Sequence, residues 1–309
     1  MKTSNSNMLS NRHSLAVTSS RNKIGLLTLI ALLLCSFATL ASAQETFVPA
    51  PEPVSGVAAA SPRTTPIASA LAPMQLGEAD GADVPGSSLN AYWAGYAVTG
   101  TDFTTVLGSW VVPPYHCIKT PNAHSFFLVG FDGYRSTSTT YEAIGTASNC
   151  VGTNRKYYGW YQFQNQGGVV SGEIPSFTVK VGDLISAEIT YANSEFTATI
   201  SNITEGLFYE ISVKVPGAQR SSAEWIVSKA ELQGAQLPLM DFGKVSSGTD
   251  YTNIFETDWA TDSSITGPIG DFSGNVHSLT MVGSGNVTEA TPTALTTDGS
   301  SFSVSWKAE

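Results

Sequence analysis

Apolar and polar residues alternate with a period of two in many short stretches after residue 90. The clearest cases are 196–201 and 302–306, where every second residue is apolar. This period places the apolar side chains on one face of a half-buried strand. Strands are predicted at 104–112, 126–131, 157–163, 177–181, 184–191, 196–200, 209–215, 225–227 and 302–306.

Turn-forming residues separate these stretches, and no segment after residue 90 keeps a helical period for more than two turns. Many short strands without alternating helices predict an all-β fold, an antiparallel sandwich of two sheets. We predict one domain over 89–309, because a sandwich of about 220 residues is an ordinary size. Residues 241–297 are rich in Gly, Ser, Thr and Asp, and we expect long loops there over one rim.

The N-terminus has the pattern of an export signal. Four basic residues and no acidic ones precede an apolar run at 24–40, and Ala41-Ser42-Ala43 follows. A signal peptidase reads this small-x-small pattern, so 1–43 is predicted to be a signal peptide cleaved after Ala43. The alternative is an uncleaved membrane anchor, for which the run is slightly short. We expect a secreted or periplasmic protein.

Residues 44–88 are rich in Ala, Pro, Ser and Gly and poor in aromatics. Repeated prolines exclude a regular helix or a central strand over most of this stretch. It is either a pro-segment or a flexible spacer.

The net charge of the chain indicates which classes of binding partner are expected. Removal of 1–43 leaves 11 of the 15 basic residues against 25 acidic ones, a formal charge of −14. Nucleic acids and anionic membranes both need clustered positive charge, so neither is an expected partner. We expect a monomer without a cofactor.

Two cysteines remain after signal cleavage, Cys117 and Cys150. In an oxidising compartment they most simply form one disulfide, which we expect to join two loops. His116 and His124 are near in sequence, but they complete no zinc-binding spacing, so no metal site is predicted.

Seven segments resemble the glutamic peptidases (eqolisins), in the order found in that family. They are 90–96 (NAYWAGY), 103–113 (FTTVLGSWVVP), 129–133 (VGFDG, followed by IGT at 144–146), 160–163 (WYQF), 181–185 (VGDLI), 222–227 (SAEWIV) and 239–243 (LMDFG). The resemblance implies a sandwich of two curved sheets with a concave groove, in agreement with the strand pattern.

Family members pair a Glu with a Gln in that groove. The Glu serves as general base on a water and then as acid to the leaving amine, while the Gln amide donates to the oxyanion. The resemblance places the Gln at Ala143 and the Glu at Ser228. Two further family positions differ, a Trp that is Leu128 here and a Glu that is Gln162 here.

These substitutions predict a catalytically degenerate protein. Loss of one oxyanion donor costs about 10²–10³ in rate, and loss of a general base about 10²–10⁴. Glu142 is a candidate substitute carboxylate, although it needs a bulge to face the same side as Ala143. Glu224 is on the face of Ser228 but some ~13 Å along the strand.

We therefore expect an extracellular protein that binds a peptide or glycan in the groove, with Trp93, Asp132, Gln162 and Glu224 as groove residues. Asp132 has a second interpretation as a turn cap. The alternative function is an active acid endopeptidase with a substitute carboxylate. A third is a glycosidase that uses paired carboxylates such as Glu142 with Glu173 or Glu188.

Overall fold

Short strands make up nearly all of the regular structure. A computed structural model describes residues 72–73, 86–232 and 235–307. The predicted signal peptide, and the segment 44–88 apart from 72–73 and 86–88, lie outside the described residues. The first twelve strands are β1 Ala72–Pro73, β2 Gly86–Asn90, β3 Trp93–Thr99, β4 Thr105–Val111, β5 His124–Asp132, β6 Tyr141–Val151, β7 Asn154–Asn165, β8 Gly168–Glu173, β9 Leu184–Ala192, β10 Glu195–Asn202, β11 Leu207–Val213 and β12 Ser222–Ser228.

The remaining elements are shorter on average. They are β13 Ala230–Leu232, β14 Ala235–Gln236, β15 Lys244–Gly248, a single-turn helix α1 Thr249–Thr252, β16 Trp259–Thr261, β17 Thr266–Pro268, a 3₁₀ turn Ile269–Asp271, β18 Val276–Val282, a 3₁₀ turn Ser284–Asn286, β19 Thr288–Pro292 and β20 Ser301–Trp306. No helix in the described part of the chain is long and apolar enough to cross a membrane.

The strands form two large sheets. The first has the order β2–β18–β3–β12–β5–β6–β7–β8, and the second β11–β10–β9–β4–β15–β20–β19. β19 also pairs with β18 and so joins the two sheets along one side. All of these pairings are antiparallel except β18 with β2. The predicted all-β, antiparallel sandwich is confirmed.

Aromatic rings fill the space between the sheets. Phe131 of the first sheet lies 5.9 Å from Phe196 of the second, and Phe163 lies 6.4 Å from the same Phe196. Burial of each such ring contributes about 1.5–3 kcal/mol. This main core holds the sheets face to face.

The predicted strands are found with one exception. Residues 177–181 have the alternating burial of a strand, yet they pair with no strand in the described part of the chain. Side chains satisfy their backbone instead, since Asn202 donates to the Thr178 carbonyl at 3.0 Å and the Lys180 N–H donates to Asp183 at 2.8 Å. Residues 241–297 also differ from expectation, because they contain β15 to β19.

Cys117 and Cys150 form the expected disulfide, with their Cα atoms 5.4 Å apart. Cys150 lies in β6 and Cys117 in a turn after β4, so the bond joins a turn to a strand rather than two loops. The disulfide therefore ties the segment that connects β4 of the second sheet with β5 of the first sheet to the neighbouring strand β6.

A second apolar cluster covers the outer side of the first sheet. We call this side the Trp93 face. Its apolar members on the strands of the first sheet are Trp93, Ala97, Phe126, Leu128, Tyr141, Ala143, Ala147, Tyr158, Trp160, Ile226 and Leu279. Directly opposed residues of antiparallel strands point to the same side, so Glu224, Ser228 and Gln162 belong to this face as well. The first sheet is therefore buried on both sides.

Candidate functional site

The two family positions lie on the same face but do not oppose each other. Ser228 pairs with Trp93 and Phe126, whereas Ala143 pairs with Gly130 and Gln162. Gly130 and Phe126 are four residues apart in β5, so the two positions are separated by four residues along the strands as well as by an intervening strand. The family resemblance identifies these two positions and their substitutions. The strand register of this structure gives the separation between them.

Glu224 is the acidic residue in the same row as Ala143. The row runs Ala97, Glu224, Gly130, Ala143 and Gln162 across five strands. Glu224 Oε2 is 3.5 Å from the position that a Cβ on Gly130 would take, and the Ala143 Cβ is 3.6 Å from that position. The same position is only 2.9 Å from the Glu142 carbonyl oxygen, so the Glu224 carboxyl and Ala143 approach each other here around a glycine that has no room for a side chain.

The Glu224 carboxyl lies in an apolar environment. It is fully buried, and neither of its oxygens has a hydrogen-bond partner among the described residues. Burial raises its pKa well above the usual value, the nearby Ser222 hydroxyl lowers it in part, and the Asp132 and Glu142 charges raise it further. A carboxyl in this setting is protonated over a wide pH range and can donate a hydrogen bond.

Two other polar groups of the Trp93 face resemble Glu224 in lacking partners. Among the described residues, Tyr141 Oη and Gln162 Oε1 are buried without a hydrogen bond. Gln162 Nε2 donates to Gln164 at 2.8 Å. Burial raises the pKa of Tyr141, so its hydroxyl stays protonated. These three groups can bind polar atoms of a ligand that enters this face.

Glu142 does not reach this face, and its proposed role as a substitute for the lost Gln or Glu is wrong. It pairs with Phe131 and Phe163, both in the main core between the sheets. β6 continues through 141–151 in register with both neighbouring strands, so no bulge turns Glu142 toward Ala143. Burial raises the pKa of Glu142, and the Asp132 charge raises it further.

The Asp132 carboxylate holds a loop at the end of β5, and its role in the groove stays a prediction. Its oxygens accept hydrogen bonds from three successive backbone N–H groups, those of Gln219, Arg220 and Ser221, at 2.7–3.1 Å. They also accept from the hydroxyls of Thr140 and Ser221 at 2.8 and 2.9 Å. The turn-cap interpretation fits this geometry, with the cap reaching the loop before β12.

The Ser228 side chain is held by the backbone next to it. Its hydroxyl donates to the Lys229 carbonyl at 2.9 Å. The Lys229 ammonium in turn forms a buried ion pair with Glu289 of β19. That pair was not foreseen, because its partners are 60 residues apart in the sequence and no motif links them.

Trp93 lies on the predicted face, but it is fully buried and its ring is 6.1 Å from Tyr141. Gln162 and Glu224 also lie on this face, so three of the four predicted groove residues come together. Within the described residues, no group of three or more His, Cys, Asp or Glu side chains is placed to hold a metal ion.

Known structures with the same architecture are glutamic peptidases. Scytalido-glutamic peptidase with a transition state analog inhibitor superimposes with a TM-score of 0.55 at 20% identity, over 71% of this chain and 99% of that one. SCP-B, described as a member of the eqolisin family of peptidases in a complex with the tripeptide Ala-Ile-His, gives 0.53 at 21% identity, over the same shares of the two chains. A search of curated protein sequences found no match.

The sequence itself matches the profile of a peptidase family over two thirds of its length. The matched residues are 91–299, which span β3 to β19 and include every residue of the row around Ala143. Together with the seven ordered segments and the shared fold, this match settles the family: the chain belongs to the Peptidase A4 family.

Proposed function

We propose that this protein is an exported, non-catalytic member of the family that binds an extracellular peptide or glycan on the Trp93 face. One observation carries the proposal: the positions of the family's Gln and Glu hold Ala143 and Ser228, and the two are four residues out of register. An alanine methyl cannot donate to an oxyanion, and a serine hydroxyl is a poor base. The family's chemistry therefore has neither of its two reacting groups.

The binding role rests on what the face retains. Aromatic side chains such as Phe126, Tyr158 and Trp160 occupy it beside the unpartnered polar atoms of Gln162 and Glu224. An apolar site with a few well-placed polar groups is the usual composition of a ligand site. Aromatic rings suit the apolar faces of sugars as well as peptide side chains.

The first test is cleavage of denatured casein by the purified protein from about pH 2 to pH 7. We expect no cleavage above that of a mock purification. The isosteric variant Glu224→Gln is the matched control, because it removes the carboxyl that is in the row of Ala143 and keeps its shape. Cleavage by the natural protein that is lost in Glu224→Gln would contradict the proposal.

The second test is binding. We expect the protein to retain members of a random peptide library or a glycan array, and Gln162→Ala to weaken that binding at least tenfold. Retention of neither class would overturn the binding role.

A second candidate function has one observation in its favour. Glu224 and Gln162 carry the same two functional groups as the family's pair, in one row with Gly130 and Ala143 between them. Glu224 could act as general base on a water and Gln162 could donate to the oxyanion of an acid endopeptidase. Loss of activity in both Glu224→Gln and Gln162→Ala would identify this displaced pair.

A further inference from the structure

Strand β11 is an open edge of the second sheet. In the described part of the chain it pairs with β10 alone, from Leu207 to Val213 without a bulge. Natural proteins usually protect such an edge with a proline, a lysine, a bulge or a very short strand. β11 has seven residues and none of these features, and Glu210 is its one charged residue. This edge can therefore accept another strand.

The turn between β9 and β10 shows which backbone groups of these strands face each other. Asn193 and Ser194 form this two-residue turn with φ values of 52° and 64°, both in the left-handed region. Such a turn closes a hairpin on a hydrogen-bonded pair, here Ala192 with Glu195. Hydrogen-bonded pairs recur at every second residue. The odd-numbered residues of β10 therefore bond to β9, and its even-numbered residues bond to β11.

The same alternation continues into β11. Phe196 of β10 pairs with Val213, and each further even-numbered residue of β10 pairs with an odd-numbered residue of β11. The N–H and C=O groups of Phe208, Glu210 and Ser212 therefore point away from β10. Within the described residues, no backbone hydrogen bond outside the sheet engages them. A row of donors and acceptors thus lines the open side of β11.

The side chains of β11 match those of a second, antiparallel copy, which can bond to these groups only with even-numbered residues opposite each other. A register centred on Glu210 is unfavourable, because it sets two carboxylates against each other. The register centred on Ile211 sets Glu210 opposite Ser212 on the exposed outer side of the sheet. It also brings the Lys214 ammonium beside the ring of Phe208, which is 59% exposed. Twofold symmetry repeats both pairs, so this register is self-complementary.

We propose that two copies of this protein form a symmetric dimer through antiparallel pairing of β11, in the register centred on Ile211. The proposal differs from the monomer that we expected from the sequence, and it does not depend on the binding function above. β11 belongs to the second sheet, whereas the Trp93 face is the outer side of the first sheet, so each copy keeps its own Trp93 face. A ligand with repeated binding segments would bind such a dimer more tightly than it binds a monomer.

Ser212→Pro tests the backbone pairing. Because the Ser212 N–H points away from β10, a proline there removes no bond of the sheet, and an edge strand tolerates it. The matched control Ser212→Ala loses the same hydroxyl, which is 2.9 Å from that of Thr197, but it keeps the N–H. Sedimentation over a hundredfold range of protein concentration should give twice the monomer mass for the natural protein and Ser212→Ala, and the monomer mass for Ser212→Pro. A natural protein that is monomeric at every concentration, or a dimeric Ser212→Pro, would overturn the proposal.

A charge at position 212 tests the register and leaves the backbone N–H in place. In the proposed register residue 212 faces Glu210 of the second copy. Ser212→Glu should therefore weaken the dimer about tenfold or more, whereas Ser212→Lys should preserve or tighten it. Equal weakening by both charges would contradict the register. If the natural protein is monomeric and an added extended peptide protects the amides of β11 from hydrogen exchange, the edge binds a foreign strand and the dimer is ruled out.

Discussion

Glu224 and Gln162 lie in one row of the first sheet, on the same face, with Gly130 and Ala143 between them. The residue that the family resemblance pairs with position 143, Ser228, lies four residues away along β12. Substitutions at positions 143 and 228 should therefore change the stability of the protein unequally, because the two side chains have different neighbours.

Ala143→Gln and Ser228→Glu should differ in stability. The longer side chain at 143 overpacks a buried position, but it is uncharged and can hydrogen-bond with the nearby Glu224, so we expect a loss of only about 1 kcal/mol. A Glu at 228 places a carboxylate beside Trp93 and Phe126, and we expect a loss of about 2–4 kcal/mol. Urea unfolding at neutral pH measures both. Equal losses would contradict the register of β12 and β6.

Glu224→Gln should stabilise the protein at neutral pH. The raised pKa of Glu224 means that the folded state holds a proton which the unfolded state releases as the pH rises above about 4.5. The natural protein therefore loses stability over that range through Glu224, and the variant lacks this contribution while it keeps those of Glu142 and Asp258. We expect equal stabilities near pH 4 and an advantage for the variant of at least about 1 kcal/mol at pH 7.5.

The control for this comparison is Glu210→Gln, which changes an exposed carboxylate of β11. It should leave the pH dependence of unfolding unchanged. A Glu224→Gln variant that loses its advantage as the pH rises would mean that the Glu224 carboxyl ionises without cost in the folded protein.

The whole protein should be most stable in acid. Burial raises the pKa values of Glu142 and Asp258 as well as Glu224. For each of them stability is fully present below the usual carboxyl pKa and falls as the pH rises toward the folded-state pKa. Thermal melts from pH 3.5 to pH 8 should show a melting temperature that declines across this range. A maximum near pH 8 would contradict the protonated state of these groups.

Asp132→Ala should destabilise the fold far more than Asp132→Asn. The alanine leaves three backbone N–H groups of residues 219–221 without their acceptor, and we expect a loss of about 3–5 kcal/mol. The amide keeps one acceptor oxygen and should lose about half as much. Thr140→Val removes one hydroxyl donor to Asp132 and a weak acceptor of the Gln219 N–H, and it should cost about 1 kcal/mol. Denaturant unfolding ranks the three variants, and a small loss in Asp132→Ala would contradict the role of this carboxylate as a loop anchor.

Removal of the disulfide should cost about 4 kcal/mol. Cys117 and Cys150 are 33 residues apart, and a closed loop of that length lowers the entropy of the unfolded chain by roughly this amount. Unfolding of a Cys117→Ala/Cys150→Ala variant, beside the reduced natural protein, measures the effect. If the variant and the reduced natural protein both unfold like the oxidised natural protein, the disulfide does not restrict the unfolded chain and the prediction is wrong.

The strand pattern predicted the sandwich because a period of two needs only local information. It failed at 177–181, where burial alternates but side chains such as Asn202 bind the backbone in place of a partner strand. It also missed the strands of 241–297, whose small polar residues owe their pairing to neighbouring strands rather than to their own propensity. Ala143, Ser228 and Glu224, which the motifs singled out, lie on one face of the first sheet. Their register depends on long-range pairing, which no local pattern encodes.

The Asp132 carboxylate has a consequence for how this family is recognised. The aspartate of V-G-F-D-G fastens a loop to the first sheet, and the A-E-W-I-V segment that follows this loop forms a central strand of that sheet. A chain can lose both reacting groups and still need these residues to fold. A match to a profile that contains such motifs therefore reports an architecture that these residues maintain, independently of the residues that would carry out the chemistry.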